Sequence, residues 1–235
     1  EAARTYRGRG FSFAAHHYYW FARGKLGLDP IYLALLRDGH IGDRQRVLDL
    51  GCGLLLLAPL LRAARARYEA GEWFDGWAPP PADARVHGIE LRPAIVATAQ
   101  RALGALAAIE RGDLRHAALP ASDVTVMMDV IHYLEPAAQE TLLARIRDAL
   151  VPRGLFVTRV ADTGAGLRYW VTRVGDQSVT LLRGLLDLGL YWPTFHTRPL
   201  DDWRALLGRM GFAVRTEPMS AGTPFANVMI VARRS

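Results

Sequence analysis

The tightest constraint on this chain is the heptapeptide at residues 47 to 53, Val-Leu-Asp-Leu-Gly-Cys-Gly, followed by four leucines at 54 to 57. An apolar run (Val47, Leu48, Leu50) carries one acid, Asp49, stops on two glycines and resumes as leucines. That is the pattern of a buried parallel strand, a tight turn and a helix, here expected over 54–67. Gly51 and Gly53 can take backbone angles closed to other residues and let a ligand lie against the main chain. The helix then points its unpaired N–H groups and positive dipole end at the turn. A small polar ligand is expected there, with a plain strand-to-helix turn as the alternative.

From Arg46 onward the chain alternates strand and helix patterns. Strands are expected at 86–90, 107–111, 123–128, 155–160, 212–216 and 227–232, and helices at 93–103, 137–149 and about 200–210. This alternation predicts an α/β fold, a Rossmann-like, doubly wound, mostly parallel seven-stranded sheet. Residues 1–45 form an aromatic, helical cap segment, in which Asp29-Pro30 starts a helix with Asp as N-cap and Pro in the first position. Residues 46–235 form the main domain, with insertions at 68–85 and 161–198. The first contains Pro79-Pro80-Pro81, which cannot continue a helix; the second is placed to act as a lid after the fifth strand.

In parallel α/β sheets ligands bind beyond the carboxyl ends of the strands. Asp49, Glu90, Asp113 and Asp129 all fall at such ends. A dinucleotide fold calls for Gly-x-Gly-x-x-Gly with an acid about 20 residues later. Here Leu56 stands at the third glycine and the acid comes first. That order resembles the first motif of class I S-adenosylmethionine (SAM) dependent methyltransferases, small-molecule branch, whose Asp-x-Gly-x-Gly-x-Gly this chain matches except at Leu55. The resemblance runs in order over roughly residues 45 to 160. It implies SAM as cofactor, S-adenosylhomocysteine (SAH) as product, and cofactor contacts from Asp49, Gly51, Cys52 and Gly53. Glu90, with Leu91 beside it, matches the acid on the ribose hydroxyls. Asp113 and Leu114 match the adenine site, and Asp129 the position facing the methionine end and the acceptor. Lys25, Arg23 and Tyr19 are positional candidates for the methionine carboxylate.

The transferred methyl is already activated, so the protein supplies alignment, exclusion of water and a proton acceptor. In Asp129-Val130-Ile131-His132-Tyr133, His132 is the candidate base, with Asp129 and Tyr133 as catalytic partners. A histidine that caps the following helix or packs on the cofactor is the other reading of His132. The Asn/Asp-Pro-Pro-aromatic tetrad of nucleic-acid base methyltransferases is missing. In the 161–198 insertion, Arg168, Arg173 and His196, with Tyr169, Trp170 and Trp192, suit a planar or anionic acceptor. Phe-Ala-Arg-Gly-Lys, Asp-Val-Ile-His-Tyr and the Gly222–Val228 segment also resemble methyltransferases of bacterial aryl polyene pigment synthesis, which implies a phenolic acceptor methylated on oxygen or carbon, free or on an acyl carrier protein.

Composition removes several classes. One cysteine excludes an internal disulfide and any Cys-cluster metal site. Adjacent His16 and His17 point apart, and no metal is expected. No apolar stretch approaches the roughly 18 to 20 residues of a membrane span; the richest, Leu181 to Trp192, contains Arg183 and Asp187. A cytoplasmic protein without a membrane partner is expected. The net charge of +6 is scattered rather than striped, which disfavours nucleic acid. Lys25 is the one lysine in the chain, suggesting a specific ammonium contact. A homodimer is left open. The rival functions are a non-catalytic SAM-binding protein, an RNA methyltransferase and a nicotinamide oxidoreductase.

Overall fold

The computed structural model describes residues 1–7, 13–175, 194–220 and 224–235, with side chains from His17 onward in the first helix. Trp192, the Leu181–Trp192 stretch, the His16 side chain, Gly222 and Thr223 lie outside the described residues. The chain runs through a short 3-10 turn (Ala2–Tyr6), α1 (Phe13–Leu28), α2 (Pro30–Arg37), β1 (Arg46–Leu50), α3 (Leu57–Glu69) and β2 (Arg85–Glu90). It continues through α4 (Pro93–Leu103), β3 (Ala108–Arg111), β4 (Ser122–Met128), a 3-10 turn (Ile131–Tyr133), α5 (Pro136–Ala149) and β5 (Leu150–Ala161). A helical stretch at 167–175, here α6, precedes α7 (Leu200–Arg209), β6 (Phe212–Pro218) and β7 (Asn227–Arg234).

The sheet has seven strands in the order β3-β2-β1-β4-β5-β7-β6, parallel except for β7, which runs antiparallel to both of its neighbours. The doubly wound sheet expected from the alternation is therefore present. Side chains alternate faces along each strand. Val47, Val86, Val124, Val126, Val157 and Val231 pack with α1 to α4. Leu48, Met127, Phe156 and Ile230 pack with α5 and α7 on the opposite face. Because the order reverses between β1 and β4, a crevice opens between their carboxyl ends, the place where this architecture binds ligands.

Two boundaries differ from the sequence expectation. The helix expected from residue 54 begins at Leu57, because Gly51, Gly53 and Leu55 all have positive φ and extend the turn. β5 begins at Leu150 rather than 155, pairing with Ser122 ahead of a register shift in β4.

The cap segment belongs to the same core as the sheet: Tyr6, Ala22, Ile31 and Leu35 are buried with the valines of the first face. Asp29 caps α2 as expected, accepting a hydrogen bond from Ile31 N at 3.2 Å. Helix α2 bridges two places on the rim of the sheet. Asp29 pairs with Arg159 on β5, and His40, just past the helix, lies 3.6 Å from Glu217 on β6. Arg159 and Glu217 both register with Met229 of β7, so they share one row across the sheet. The proline-bearing insertion docks on the same helix: Ala78 N donates to Arg37 O, and Trp73, Phe74 and Trp77 stack together. Among the described residues no helix is long and apolar enough to cross a membrane.

Candidate functional site

The glycine turn lies over the end of β2, with Gly51 N and Cys52 N both donating to Ile89 O. Gly51 (φ 66°) has no alternative: a β-carbon there would sit 2.5 Å from Val130 Cγ2, on the loop after β4. Gly53 (φ 56°) is different, since a β-carbon there would meet nothing within 4 Å. The turn thus presents bare backbone to open space at Gly53. Leu55, where the methyltransferase motif has glycine, keeps the left-handed conformation with φ 56°. Its side chain is fully buried.

Glu90 braces this turn. One carboxylate oxygen accepts from Gly53 N at 2.9 Å, and the other accepts from Arg92 N and Arg92 Nε at 3.0 Å each. Asp49 is 8% exposed, and its carboxyl has no hydrogen-bond donor among the described residues. Burial, and then the charge of Glu90, push it up to about 7. Burial followed by the charge of Asp49 likewise pushes the Cys52 thiol up, so it is no nucleophile. Tyr6 closes the far side of the turn, its hydroxyl donating to Leu54 O at 2.7 Å. Tyr32 enters the same cleft from α2; burial and the charges of Asp49 and Asp29 keep its phenol protonated.

Across the crevice, Asp129 (φ 58°) accepts from both Nε and Nη2 of Arg159, whose side chain is 4% exposed. Arg159 Nη1 reaches Asp29 at 2.5 Å, and Lys25 joins both acids, at 2.7 Å from Asp29 and 3.4 Å from Asp129. Two cations and two carboxylates thereby form one partly buried network that ties α1 and α2 to the ends of β4 and β5. Burial works to raise Asp129 and Asp29, but Arg159's charge and hydrogen bonds outweigh it and hold both below the usual carboxylate range.

At the other end of the crevice Asp113 lies just past β3. Hydrogen bonds from Arg115 hold its carboxyl down to about 2. Leu114 beside it is buried, and Arg145 of α5 fixes this turn by donating to the carbonyls of Leu114, Arg115 and Ala117.

His132 lies three residues beyond Asp129, in the 3-10 turn after β4. It is 8% exposed, and its Nε2 is buried without a hydrogen-bond partner. Burial lowers its pKa, with Asp129 opposing, so the imidazole is neutral near pH 7. It borders a shallow depression, open to solvent, which is also lined by Ala161, Tyr169, Thr172, Arg173, Phe195 and Thr197. The rings of His132, Tyr133 and Phe195 pack with centroids 4.4 to 5.4 Å apart. His132 does not cap α5, whose N-cap is Glu135. Gln139 joins the loop after β4 to the lid, its amide nitrogen lying within 3.2 Å of the carbonyls of Ile131, Leu134 and His196.

The structure brings Asp49, Gly51, Cys52, Gly53, Glu90, Asp129 and Lys25 to the crevice between β1 and β4. Arg173 and His132 share the neighbouring depression. Other candidates are turned to different partners. Arg23 lies over the Trp20 ring, Tyr19 packs between Trp20 and Arg7, Leu91 is exposed, and Arg168 donates to Ser220 O. His196 contributes backbone, its N–H donating to His132 O. Sequence reading missed Arg159, Asp29 as an ion-pair partner, Tyr6, Tyr32 and Gln139. One signal was available: Arg159 is the charge within the buried run 155–160. Among the described residues, Asp38, His40 and Glu217 bring three potential metal ligands within 4.8 Å of one another, but Arg37 and Arg215 already hold the two carboxylates.

No protein-family model and no curated protein matches this sequence. Solved structures do match it in fold. One is magnesium protoporphyrin IX methyltransferase from Synechocystis PCC 6803 with bound SAH, at 19% identity, 100% of this chain, 93% of that chain and a TM-score of 0.58. Human N-acetylserotonin methyltransferase in complex with SAM matches at 17% identity over 92% of this chain and 55% of its own, TM-score 0.62. The N,N-8-amino-8-demethyl-D-riboflavin dimethyltransferase of Streptomyces davawensis matches at 19% identity over 100% and 62%, TM-score 0.61. The chain thus spans nearly all of the first and less than two thirds of the other two. The likeness is one of fold: this chain has the class I methyltransferase fold.

Proposed function

We propose that this protein transfers the methyl group of SAM to a small aromatic acceptor. The observation that carries this reading is Asp49, a buried carboxyl without a donor, beside a Glu90-braced glycine turn at the switch point of the sheet. A carboxyl in that condition is complementary to a cation. The cofactor is cationic at its sulfonium and its α-amino group. The fit extends along the crevice. The backbone at Gly53 faces open space, and the Glu90 oxygen that accepts from Gly53 N retains a lone pair for a ribose hydroxyl. Asp113, ionised and fixed by Arg115, accepts from the adenine amino group in this reading. Of the three candidates for the methionine carboxylate, Lys25 is nearest the crevice.

When bound, SAM supplies a methyl group on a sulfonium, activated for in-line displacement. The chain's own residues do the rest. The Lys25–Asp29–Arg159–Asp129 network holds the cap over the crevice and excludes water. His132, neutral and with Nε2 free, accepts the proton that leaves the acceptor's oxygen or activated carbon. Phe195, Tyr133 and Tyr169 flank the acceptor.

The test is calorimetric titration with SAH, repeated on Glu90→Gln. Micromolar binding is expected, weakened at least tenfold in the variant as the turn loses its brace. A folded protein that binds NADH and not SAH would overturn the reading.

A further inference from the structure

We infer that the acceptor is an aryl acid, whose carboxylate pairs with Arg173 while its ring hydroxyl faces His132 Nε2. This rests on the methyltransferase reading and adds the acceptor's chemical class to it.

The inference comes from which polar groups around the depression are already engaged. Thr172 is engaged in both directions, since its hydroxyl donates to Arg168 O and accepts from Ala226 N at 2.8 Å. Tyr169 and Thr197 bond each other through their hydroxyls at 2.8 Å. Ala161 and Phe195 offer apolar surface. Two groups remain. One is His132 Nε2, buried and without a partner. The other is Arg173, a half-buried residue on the wall whose guanidinium has no acid and no hydrogen bond among the described residues.

Arg173 is an exception among the arginines drawn in from the surface. Arg159 has Asp129 and Asp29, Arg92 has Glu90, Arg198 has Glu140 and the Gln139 carbonyl oxygen, and Arg145 has three backbone carbonyls. Drawing a guanidinium partly out of water without a counter-charge is unfavourable. A carboxylate on the acceptor supplies that charge in the planar, bidentate geometry a guanidinium recognises. Arg168, the other arginine of the insertion's helix, is exposed and bound to Ser220 O, so it does not compete for this role.

The unengaged groups therefore comprise one cation and one neutral proton acceptor, between aromatic walls. Their complement is one acid and one hydroxyl on a flat ring. The reaction balances on these groups. The ring hydroxyl's proton passes to Nε2 as the O–CH3 bond forms and the S–CH3 bond breaks. The sulfonium becomes a neutral thioether, and the new imidazolium returns its proton to solvent.

The probes are hydroxybenzoates and hydroxycinnamates, each paired with its methyl ester, titrated into the SAH-loaded protein. The expected result is that at least one acid binds tenfold or more tightly than its ester. Arg173→Gln should remove that preference and Arg173→Lys should keep part of it. SAH titration and melting temperature serve as checks that each variant is folded. If SAH binds but every ester matches its acid, or the preference survives in Arg173→Gln, the inference fails while the methyltransferase reading stands. Binding of carrier-linked aryl thioesters in preference to the free acids would also overturn it. If SAH does not bind the wild type, the underlying reading fails first.

Discussion

Leu55 fills the space that Gly88 leaves open: a β-carbon on Gly88 would lie 2.8 Å from Leu55 Cδ1 and 2.6 Å from Cys52 Sγ. The departure from the glycine motif at position 55 is thus matched by a glycine on the adjoining strand. The leucine accepts a left-handed backbone, at a cost of roughly 1–2 kcal/mol, and recovers it by burial against β2. The expected outcome is a coupled pair. Gly88→Ala should destabilise the fold by about 1–3 kcal/mol through overpacking. In the Leu55→Gly background the same change should cost less, the contact with Cys52 Sγ remaining. A double-mutant cycle in urea measures the coupling, and additive effects would refute it.

Asp49 should make the ligand-free protein less stable as pH rises. Its pKa is held up to about 7 against an ordinary 3.8, so between pH 4 and 7 the folded state keeps a proton that the unfolded chain has released. Stability therefore falls through that window, by up to about 4 kcal/mol for this group. Asp49→Asn should flatten the slope, and the difference between wild type and variant in urea at pH 5 and pH 8 isolates it from His132. SAH, whose ammonium favours the ionised carboxylate, should bind more tightly at pH 8 than at pH 5 and release a proton measurable in buffers of differing ionisation enthalpy.

The cap network should show a strong asymmetry between its two cations. Arg159→Met leaves Asp29 and Asp129 to share Lys25 alone, and removing one partner from a buried network costs about 3–5 kcal/mol. Lys25, with a side chain 31% exposed, leaves Arg159 on both acids when it is removed, and its loss should cost about 1 kcal/mol. Because both carboxyls sit below 3.8, their contribution is intact above that pH and disappears as pH falls through the lowered values. Equal losses in Lys25→Met and Arg159→Met, read from thermal melts, would contradict the arrangement.

Gln139→Leu keeps the volume and removes the donor that serves Ile131, Leu134 and His196. The buried carbonyls left behind should cost about 1–3 kcal/mol. Hydrogen exchange should rise at the amides of 131–134 and 194–199 more than in β4 itself. Uniform protection across these segments would show that the glutamine does not join them.

The parts of this molecule legible in sequence were those written in short-range pattern. Val47 to Gly53 carries its own strand, turn and acid, and the places where apolar strands stop at Glu90, Asp113 and Asp129 locate the crevice rim. What stayed hidden depends on contacts across long stretches of chain. Arg159 meets Asp29 from 130 positions away, and Tyr6 meets Leu54 from 48. No periodicity encodes such pairs. The start of α3 was misplaced because a leucine in left-handed conformation looks, in sequence, like the first turn of a helix. Arg168 and Arg173 were indistinguishable by type; only their surroundings separate an exposed arginine bound to a carbonyl from one facing a depression.

Tyr6 belongs to a short turn at the start of the described chain that would seem dispensable, yet its hydroxyl supplies a hydrogen bond to the backbone just before α3. A protein trimmed to begin at Phe13 would keep every strand and every acid of the crevice. It would still leave Leu54 O without this donor and expose to water the core surface that Ala3 and Tyr6 cover. For anyone shortening or fusing this chain, the first half-dozen residues brace the glycine turn, and a junction placed within them disturbs that turn.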